Sequence, residues 1–497
     1  MLNKFLTLAA VGTVAVHAAH NVLDYGANAT EVECDTLSAF ANTNAFLQAV
    51  QAANSSSSVD RVVVIPKLPD NHKLFMMPIL MENLYNITFQ VDGEVVASSD
   101  HINWPNHTDW QMEKHAHYHN SSSKRPLGGS DYGPVISFWE IHDSDGINFQ
   151  GSGSVDGQGY WWWMREYAVL NYGNRPHLLR MDRVRNCRIE GIRWTNSPMY
   201  HMFLMDIDNF YIADLEIYVD VFEQKKLAQK FGFFDYNAGI PTFPLNTDGI
   251  DPSGTNIYIR NVTITNFDDA VAVKPANRGY KVATCAQYIT VENAKVVYGV
   301  GMTIGSVPPN LNTACIRDVT FRNITFDTPI KAVYVKTNPG NEGDGFIENI
   351  LYEDLTIDTP IWWGIYIGPQ QQKQPDGDGP GCMLYPLLKD CQTQPRITVR
   401  NITLRNINSK NGILPPGIIR CNETNPCKDI IFDNVQVTGW FTLLDYGYIT
   451  ENAYGTSSWS IPNPGFNTTT ANGEINYSPA KWMDILLNAH IRRDDQI

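Results

Sequence analysis

The sequence predicts an all-β protein, a right-handed parallel β-helix with a capping helix near its N-terminus. Short runs of alternating apolar and polar residues recur from residue 85 onward, and such alternation is typical of strands with one buried face. An Asn or Asp interrupts many of the runs, and the runs return about every 30 residues, a period that indicates stacked coils rather than βα units. A β-propeller would need about four strands in each repeat and a longer period.

The capping helix is predicted over residues 35–53. Its apolar residues, among them Phe40, Phe46 and Val50, follow an acidic start at Asp35. The open end of a stack of coils exposes an unpaired edge, so a cap is expected there.

The coils repeat one motif in which an Asn or Asp stands between two alternating runs. These residues tolerate the left-handed backbone conformation and bond to their own backbone, so each marks a sharp bend. Stacking aligns equivalent residues of successive coils into asparagine ladders, and we expect Asn261, Asn293, Asn323, Asn401 and Asn434 to be ladder residues rather than to take part in catalysis. The clearest copies of the motif are Ile257–Ile264, Val319–Phe326, Leu351–Ile357, Ile397–Leu404 and Ile431–Val437.

Two segments depart from the repeat, and we expect both to border a binding groove. They are a polar, His-rich insertion at 100–133 and a loop at 369–381. His115, His117 and His119 alternate within the insertion, as metal ligands on one strand face would. No partner acid accompanies them, so we predict no metal site and no cofactor.

The predicted boundaries are a signal peptide at 1–18, a β-helix domain at 19–440, and a tail at 441–497 that packs on the last coils. Lys4 precedes a short apolar stretch, and Ala18 fits the last position before a cleavage site. That stretch is too short to span a bilayer, and no later segment supplies about 20 uninterrupted apolar residues. The protein is therefore predicted to be secreted and extracellular, without a membrane partner.

The eight cysteines of a secreted chain indicate disulfides. Cys421–Cys427 and Cys382–Cys391 are the expected local pairs, and Cys285–Cys315 is a looser pairing. No CxxC or Cys-His spacing indicates a zinc site. Sequons typical of a secreted glycoprotein, some of which fall on the predicted ladder, stand at Asn28, Asn54, Asn86, Asn106, Asn120, Asn261, Asn323, Asn401, Asn422, Asn467 and Asn476.

The formal net charge is −15 at pH 7, which argues against a nucleic-acid partner. An acidic protein also repels a polyanionic substrate. Such a substrate would need local cations, for which Lys274 and Lys336 are candidates, or an acidic working pH. We expect a monomer.

Three carboxylates, Asp248, Asp268 and Asp269, stand close together on consecutive predicted strands. Crowded like charges oppose joint ionisation and raise one pKa. Cleavage of a glycosidic bond with inversion uses such a set, because it needs one protonated acid for the leaving oxygen and an ionised carboxylate to activate water. A regular strand would send Asp268 and Asp269 to opposite faces, so a bulge or a coil corner must re-aim one of them. A calcium site and a solvated turn are the alternatives.

The motifs around these acids resemble glycoside hydrolase family 28, the polygalacturonase and rhamnogalacturonase family. The resemblance implies a pectin-lyase-like solenoid and a pectin-degrading hydrolase. It implies Asp268 as the general acid, and Asp248 and Asp269 as the holders of the nucleophilic water. Asn246 matches the first residue of the family's Asn-Thr-Asp and is expected to bond substrate or to orient Asp248. The resemblance rests, in chain order, on Val22–Ala27, Gly151–Gly159, Arg175–Pro176, Asn196–Pro198, Asn246–Asp251, Phe267–Lys274 and Gly301–Ser306.

Two positions depart from the family pattern. Val300 stands where the family usually has the histidine of Gly-His-Gly, and Tyr334 stands where it has the arginine of Arg-Ile-Lys. In polygalacturonases that arginine and the lysine hold the galacturonate carboxylate, and rhamnogalacturonases of the family also lack the histidine. Lys336 is therefore expected to contact substrate, Tyr334 to offer its ring to a sugar, and Tyr366 to lie in the groove about one coil further on.

The sequence thus predicts an inverting glycoside hydrolase that acts on a pectic polysaccharide, with a rhamnose-containing or substituted pectin preferred to plain homogalacturonan. Two alternatives stay open. One is a β-helical polysaccharide lyase, with calcium on the aspartates and Lys274 or Lys336 as base. The other is a wall-binding protein that has lost activity together with the missing histidine and arginine.

Overall fold

The structure is a computed structural model. It describes residues 19–55, 57–107, 135–160, 162–163, 174–220, 244–275, 285–311, 313–372, 381–386, 391–439 and 447–466. The predicted signal peptide, the three alternating histidines, most of the 369–381 loop and most of the tail lie outside these ranges.

The described chain forms a right-handed parallel β-helix, which confirms the predicted fold class. Its 26 described strands join in one continuous sheet that winds around the coil axis. The long strands bend at the corners and so contribute to more than one face. Within the described ranges, no helix is both long and apolar enough to cross a membrane.

One face of the solenoid, here called the front sheet, contains or borders the residues of the candidate site described below. Each of its strands pairs in parallel with the strand one coil away. In chain order the front sheet contains Ile79–Glu82, Trp139–His142, Leu179–Asp182, the first residues of Met202–Tyr218 and of Ile250–Asn266, Val271–Val273, Met302–Val307, Val333–Thr337, Ile365–Pro369, Gly417–Arg420 and Ile449–Glu451.

The back sheet holds the longer strands and the bends. It contains His20–Asn21, Val62–Ile65, Tyr85–Val91, Asp145–Gln150, Arg185–Glu190, the rest of the two strands shared with the front sheet, Ala286–Tyr298, Ala314–Asp327, Gly345–Asp358, Ile397–Gly412, Cys427–Gly439 and Ala453–Ser458. Four short strands complete the early coils: Leu74–Met76, Glu94–Ala97, Ser154–Asp156 and Arg193–Thr195.

The core is a set of apolar stacks along the axis. In one stack, the register of six successive strands places one aliphatic side chain directly on the next, and each of these side chains is at most 2% exposed. Full burial of each such side chain contributes about 1.5–3 kcal/mol. The stack consists of Ile257, Ile289, Val319, Ile350, Ile402 and Ile430.

The capping helix spans Thr36–Ala53, with Asp35 as N-cap, so the prediction at 35–53 is confirmed. The Asp35 side chain accepts a hydrogen bond from the backbone N–H of Ser38 at 2.9 Å, which satisfies one of the free donors of the first turn. The helix buries Phe46 against Phe89 and Trp139, with ring centroids 5.9 and 5.3 Å away. The first coils are therefore closed by an aromatic contact.

The predicted asparagine bends are present. Asn261, Asn293, Asn323, Asn401 and Asn434 all have a φ between 52° and 57°. The Asn323 amide donates to Asn293 Oδ1 at 2.6 Å. Asn261 and Asn434 bond to the equivalent Asp214 and Asn406 one coil away. Asn401 instead bonds to Asn349 in a second, parallel ladder, so there are two ladders and they contain both residue types.

The three predicted disulfides, Cys285–Cys315, Cys382–Cys391 and Cys421–Cys427, are all formed. Cys34 and Cys187 remain as free thiols. Beyond residue 440, two short strands continue the coils, and Phe466 packs edge-on against Phe432 at 5.2 Å.

Candidate active site

The consecutive aspartates lie at a corner of the solenoid. The strand Ile250–Asn266 ends just before them and Val271–Val273 begins just after them, so the predicted coil corner exists and strand alternation does not apply. Asn266 holds the corner, because its side-chain amide donates to the carbonyls of Thr247, Asp268 and Asp269 at 2.8–3.1 Å. This positioning role was missed in the sequence, where Asn266 looks like another bend.

Asp269 is held as a carboxylate. Lys336 Nζ lies 2.8 Å from its Oδ2, and the Thr303 hydroxyl donates to its Oδ1 at 2.6 Å. Burial alone would raise the pKa of Asp269, but the positive charges of Lys336 and Lys274 outweigh burial and lower it. Asp269 is therefore ionised at the pH where an ordinary aspartate is.

Asp268 has the opposite tendency, although it is the adjacent residue. Its Oδ2 accepts from the backbone N–H of Asn246 at 2.9 Å and its Oδ1 from the N–H of Asp269 at 3.0 Å. Burial, followed by the negative charge of Asp269, raises the pKa of Asp268 despite these bonds and the nearby Lys336. Asp268 therefore keeps its proton to a higher pH than its neighbour.

Asp248 completes the acidic cluster. It is 2% exposed, and its Oδ1 has no hydrogen-bond partner among the described residues. Burial and the charges of Asp251, Asp268 and Asp269 raise its pKa well above the ordinary value. His201 fixes its backbone, since Nδ1 donates to the Asp248 carbonyl at 2.9 Å. Burial lowers the pKa of His201 to about 4, so the ring is neutral.

The three acids converge: one oxygen from each of Asp248, Asp268 and Asp269 lies within 4.8 Å of the others. Carboxylates at such distances can share a cation. Lys336 and Thr303, however, already engage both oxygens of Asp269, so a protein cation occupies the position that calcium would compete for.

Asn246 links two parts of the site. Its backbone adopts a φ of 60°, and its side-chain oxygen accepts from Arg175 Nη2 at 2.9 Å. Arg175 also donates to the carbonyls of Pro198 and Leu245. The structure thus places Asn246 as the residue that presents a backbone donor to Asp268; substrate contact by its side chain stays a prediction.

The predicted substrate-binding residues of the later coils are less accessible than expected. Lys336 is 1% exposed and is engaged by Asp269. Tyr334 and Tyr366 are fully buried and pack edge-to-face at 5.4 Å. The Tyr334 hydroxyl accepts from the backbone N–H of Gln371. Both rings are thus buried where an exposed groove position was expected, and sugar contact by these two residues stays an untested prediction.

Two further groups were missed in the sequence. Asp251, in the same motif as Asp248, is fully buried, and its Oδ2 lies 3.4 Å from Lys274 Nζ. Burial raises the pKa of Asp251 to about 7, although Lys274 opposes the rise. Lys331 is 3% exposed, with its Nζ 4.5 Å from the centre of the Tyr334 ring. Its position between the apolar Ile330 and Ala332 was the only signal of burial.

A β-helix with three buried acids and paired lysines on one face has the features of a glycosidase. A sequence model of Glycosyl hydrolases family 28 matches residues 128–452, and the chain belongs to this family. The prediction from the motifs is confirmed.

Named relatives are distant. The chain is 22% identical over 413 residues to a polygalacturonase of Cryptomeria japonica, an alignment that covers 80% of this chain and 63% of the relative. It is 29% identical over 225 residues to a probable endo-xylogalacturonan hydrolase A of Aspergillus flavus, covering 44% of this chain and 48% of the relative. The chain thus spans less than two thirds of the length of these relatives.

Among solved structures, the endo-xylogalacturonan hydrolase from Aspergillus tubingensis superimposes with a TM-score of 0.56. The match covers 88% of this chain and 95% of the other, at 17% sequence identity. At that identity the likeness establishes the fold alone.

Proposed function

We propose that the protein is a secreted, inverting glycoside hydrolase that cleaves pectic polysaccharide, with Asp268 as general acid and Asp248 and Asp269 as holders of the attacking water. The observation that carries this proposal is the convergence of three buried acids, in which Lys336 and Thr303 engage Asp269 while backbone N–H groups engage Asp268. These surroundings lower the pKa of Asp269, whereas burial and the charge of Asp269 raise the pKa of Asp268. Environments that separate the proton affinities of neighbouring carboxyls assign one as acid and the other as base.

The proposed reaction uses these groups in order. Asp268 donates its proton to the glycosidic oxygen as the bond to the anomeric carbon breaks. The Asp269 carboxylate accepts a proton from a water molecule, whose oxygen bonds to the anomeric carbon on the opposite face. Asp248, whose pKa burial and the neighbouring acids raise above the ordinary value, forms a hydrogen bond that positions this water. Proton exchange with solvent then restores Asp268 and Asp269.

The spacing of the acids makes the stereochemistry informative. Inverting enzymes with two carboxyls usually separate them by about 6.5–9.5 Å, and retaining enzymes by about 5–5.5 Å. The distance of at most 4.8 Å between the nearest oxygens would, by that criterion alone, favour retention. We infer inversion because Lys336 and Thr303 engage both oxygens of Asp269, so this carboxylate is placed to hold a water rather than to attack the sugar.

Proton NMR of the first products decides this point. We expect the newly formed reducing end to appear with the anomeric configuration opposite to that of the cleaved linkage. Initial release of the same configuration would contradict inversion and would assign one of the acids as a nucleophile.

The proposed substrate is a rhamnose-containing or substituted pectin. Val300 provides no proton or hydrogen bond where a histidine is usual, and the buried Tyr334 cannot form the paired hydrogen bonds of an arginine with a carboxylate. One relative is named a polygalacturonase and another a probable endo-xylogalacturonan hydrolase, and both names support a pectic substrate. We expect higher kcat/KM on rhamnogalacturonan or xylogalacturonan than on homogalacturonan, and the reverse order would refute the proposal.

The central test is Asp268→Asn, which replaces the acid with an amide of the same shape that cannot donate the proton. The rate on the best substrate should fall on the order of 10²–10⁴-fold. Asp70→Asn, at an exposed turn, is the matched control and should keep full activity. An active Asp268→Asn enzyme would show that the acid is assigned wrongly.

The same assay separates hydrolysis from elimination. A lyase would need a neutral lysine as base, whereas Lys274 and Lys336 are both paired with carboxylates that raise their pKa against the effect of burial. We expect new reducing ends without the ultraviolet absorbance of an unsaturated uronide. Absorbance that a chelator abolishes would contradict hydrolysis.

A further inference from the structure

Lys331 is a buried cation with no counter-ion among the described residues. It is 3% exposed, and no described carboxylate lies within ion-pair distance of its Nζ. The other two buried lysines of the site are paired, Lys336 with Asp269 at 2.8 Å and Lys274 with Asp251 at 3.4 Å. A buried charge without a partner is costly, so a group outside the described structure is expected to compensate it.

The backbone places Lys331 on the same face as the acids, two coils further on. The N–H of Val300 donates to the Asp268 carbonyl at 2.7 Å, which sets Val300 one coil beyond the acids. In the next coil, Ile330 donates to the Gly299 carbonyl at 2.7 Å. Coils stack about 4.8 Å apart, so the backbone of Lys331 lies roughly 10 Å along the solenoid from that of the acids, in the coil that also carries Lys336. The Lys331 side chain therefore lies beside the acidic cluster, where a neighbouring sugar of a bound chain would pass.

The Tyr334 ring accounts for the position of this cation. The ammonium groups of Lys331 and Lys336 lie 4.5 and 4.8 Å from its centre, close enough for the negative face of the ring to attract a cation. An arginine at 334 would place a third positive charge there. A tyrosine at 334 in place of the family arginine is therefore compatible with a second lysine, Lys331, at this position.

We propose that Lys331 binds the carboxylate of a uronate sugar adjacent to the sugar whose bond is cleaved. The proposal rests on the proposed hydrolysis of pectic polysaccharide and names the residue that recognises the acidic unit. Lys336, being held by Asp269, positions the base instead of binding substrate. Burial, together with the charge of Lys336, lowers the pKa of Lys331 to about 7, against the opposing effect of Asp269 and Asp268; an incoming carboxylate would favour the charged form.

The test compares an acidic substrate with its neutral counterpart. We would assay two substrates: a pectic oligosaccharide that the natural enzyme cleaves, and the same oligosaccharide with its carboxyl groups reduced to alcohols. Each is tested with the Lys331→Met variant and with Lys428→Met, which changes an exposed lysine and serves as the control. Binding of trigalacturonate and of its carboxyl-reduced form to the full chain is measured by calorimetry. Lys331→Met should lower kcat/KM and affinity for the acidic compounds by about 10–100-fold, the range for a charge-assisted hydrogen bond, and change the neutral ones less than about twofold.

The outcomes separate this inference from the proposed function. An equal loss on acidic and neutral compounds, no loss on either, or no binding of trigalacturonate by the natural protein would each overturn the role of Lys331. If the natural protein cleaves no pectic compound but binds trigalacturonate in a Lys331-dependent way, the carboxylate site stands and the hydrolase proposal fails. Because the substitution removes an unpaired buried charge, the variant should unfold at or above the natural melting temperature, and Lys331→Arg should retain the preference for acidic compounds.

Discussion

Adjacent aspartates of the same type acquire different proton affinities here because different atoms surround each side chain. Asp269 receives a lysine and a threonine hydroxyl, whereas Asp268 receives two backbone N–H groups and faces the charge of Asp269. Lys336 comes from the strand two coils beyond the corner that carries both acids. The pKa separation therefore depends on the stacking of coils, which brings Lys336, as well as on Lys274 from the same sequence motif.

The Lys336→Met variant loses the charge that lowers the pKa of Asp269. This pKa should rise, so that the proposed base is ionised only at higher pH. The acid limb of the kcat/KM–pH profile should then move to higher pH, and the rate at the natural optimum should fall on the order of 10²-fold. The exposed Lys295→Met variant serves as the control and should leave the profile in place.

The same variant should also lose stability in a defined pH range. A carboxyl with a lowered folded-state pKa contributes stability that is present above the unfolded pKa of about 3.9 and disappears as pH falls through the folded value. Removal of one partner from a buried ion pair costs about 3–5 kcal/mol. The melting temperature of Lys336→Met should therefore lie below that of the natural protein at pH 6, and the difference should shrink as pH falls below about 3.9 and through the lowered folded-state pKa of Asp269. A constant difference across this range would contradict the assignment of Asp269 as ionised.

At the scale of the element, the bends are the local determinant of each coil. Every ladder asparagine combines a left-handed backbone with a side-chain bond to the next coil. The left-handed conformation costs an ordinary residue about 1–2 kcal/mol, and Asn and Gly tolerate it better. The Asn or Asp of the repeated motif is thus explained by the positive φ that each bend requires.

The prediction at this scale compares substitutions at Asn323 with substitutions at Thr325, two residues further along the same strand. At Asn323, Gly loses only the ladder bond while Ala also meets the backbone strain, so Ala should be less stable than Gly by about 1 kcal/mol. At Thr325, which has no positive φ, Ala should be more stable than Gly. The melting temperatures of the Ala and Gly variants at both positions are measured on protein made without glycosylation. If Ala and Gly rank in the same order at Asn323 and at Thr325, the positive φ of Asn323 does not determine the stability difference.

The sequence predicted the strands, the bends, the cap and two of the disulfides because each depends on local pattern or short separation; the third, Cys285–Cys315, spans 30 residues and was the looser pairing. It also singled out Asp248, Asp268 and Asp269, since three acids among strand residues stand out. It did not predict that Lys336 would be occupied by Asp269, that Tyr334 and Tyr366 would be buried, or that Lys331 would join the site. These features depend on which side chains meet across coils, and alternation within one strand carries no information about that.

At the scale of the whole molecule, charge is distributed unevenly. The chain carries a net charge of −15, while three buried lysines, Lys274, Lys331 and Lys336, lie in or beside the front sheet. The overall field opposes the approach of an acidic polysaccharide, and the buried cations act only at contact. Salt screens the exposed charges more strongly than the buried ones.

Added salt should therefore accelerate the reaction on an acidic polysaccharide. Between low ionic strength and about 0.15 M, where the Debye length is about 8 Å, we expect kcat/KM to rise about twofold or more on the acidic polymer and to stay flat on its carboxyl-reduced form. Initial rates at fixed pH measure this effect. A fall with salt on the acidic polymer would mean that the lysines, and not the net charge, govern encounter.

Stacked coils also bear on how such a protein can change through gene duplication. Asp248, Asp268, Asp269 and Lys336 come from a few successive coils, and each coil contacts chiefly its immediate neighbours. Gain or loss of one whole coil before Met202 or after Pro369 would lengthen or shorten the front face without moving these four side chains. Deletion of a single residue inside a strand would instead move its inward-facing side chains to the outer face. Lineages of this architecture are therefore free to vary the number of sugars they hold while the cleavage chemistry is inherited unchanged.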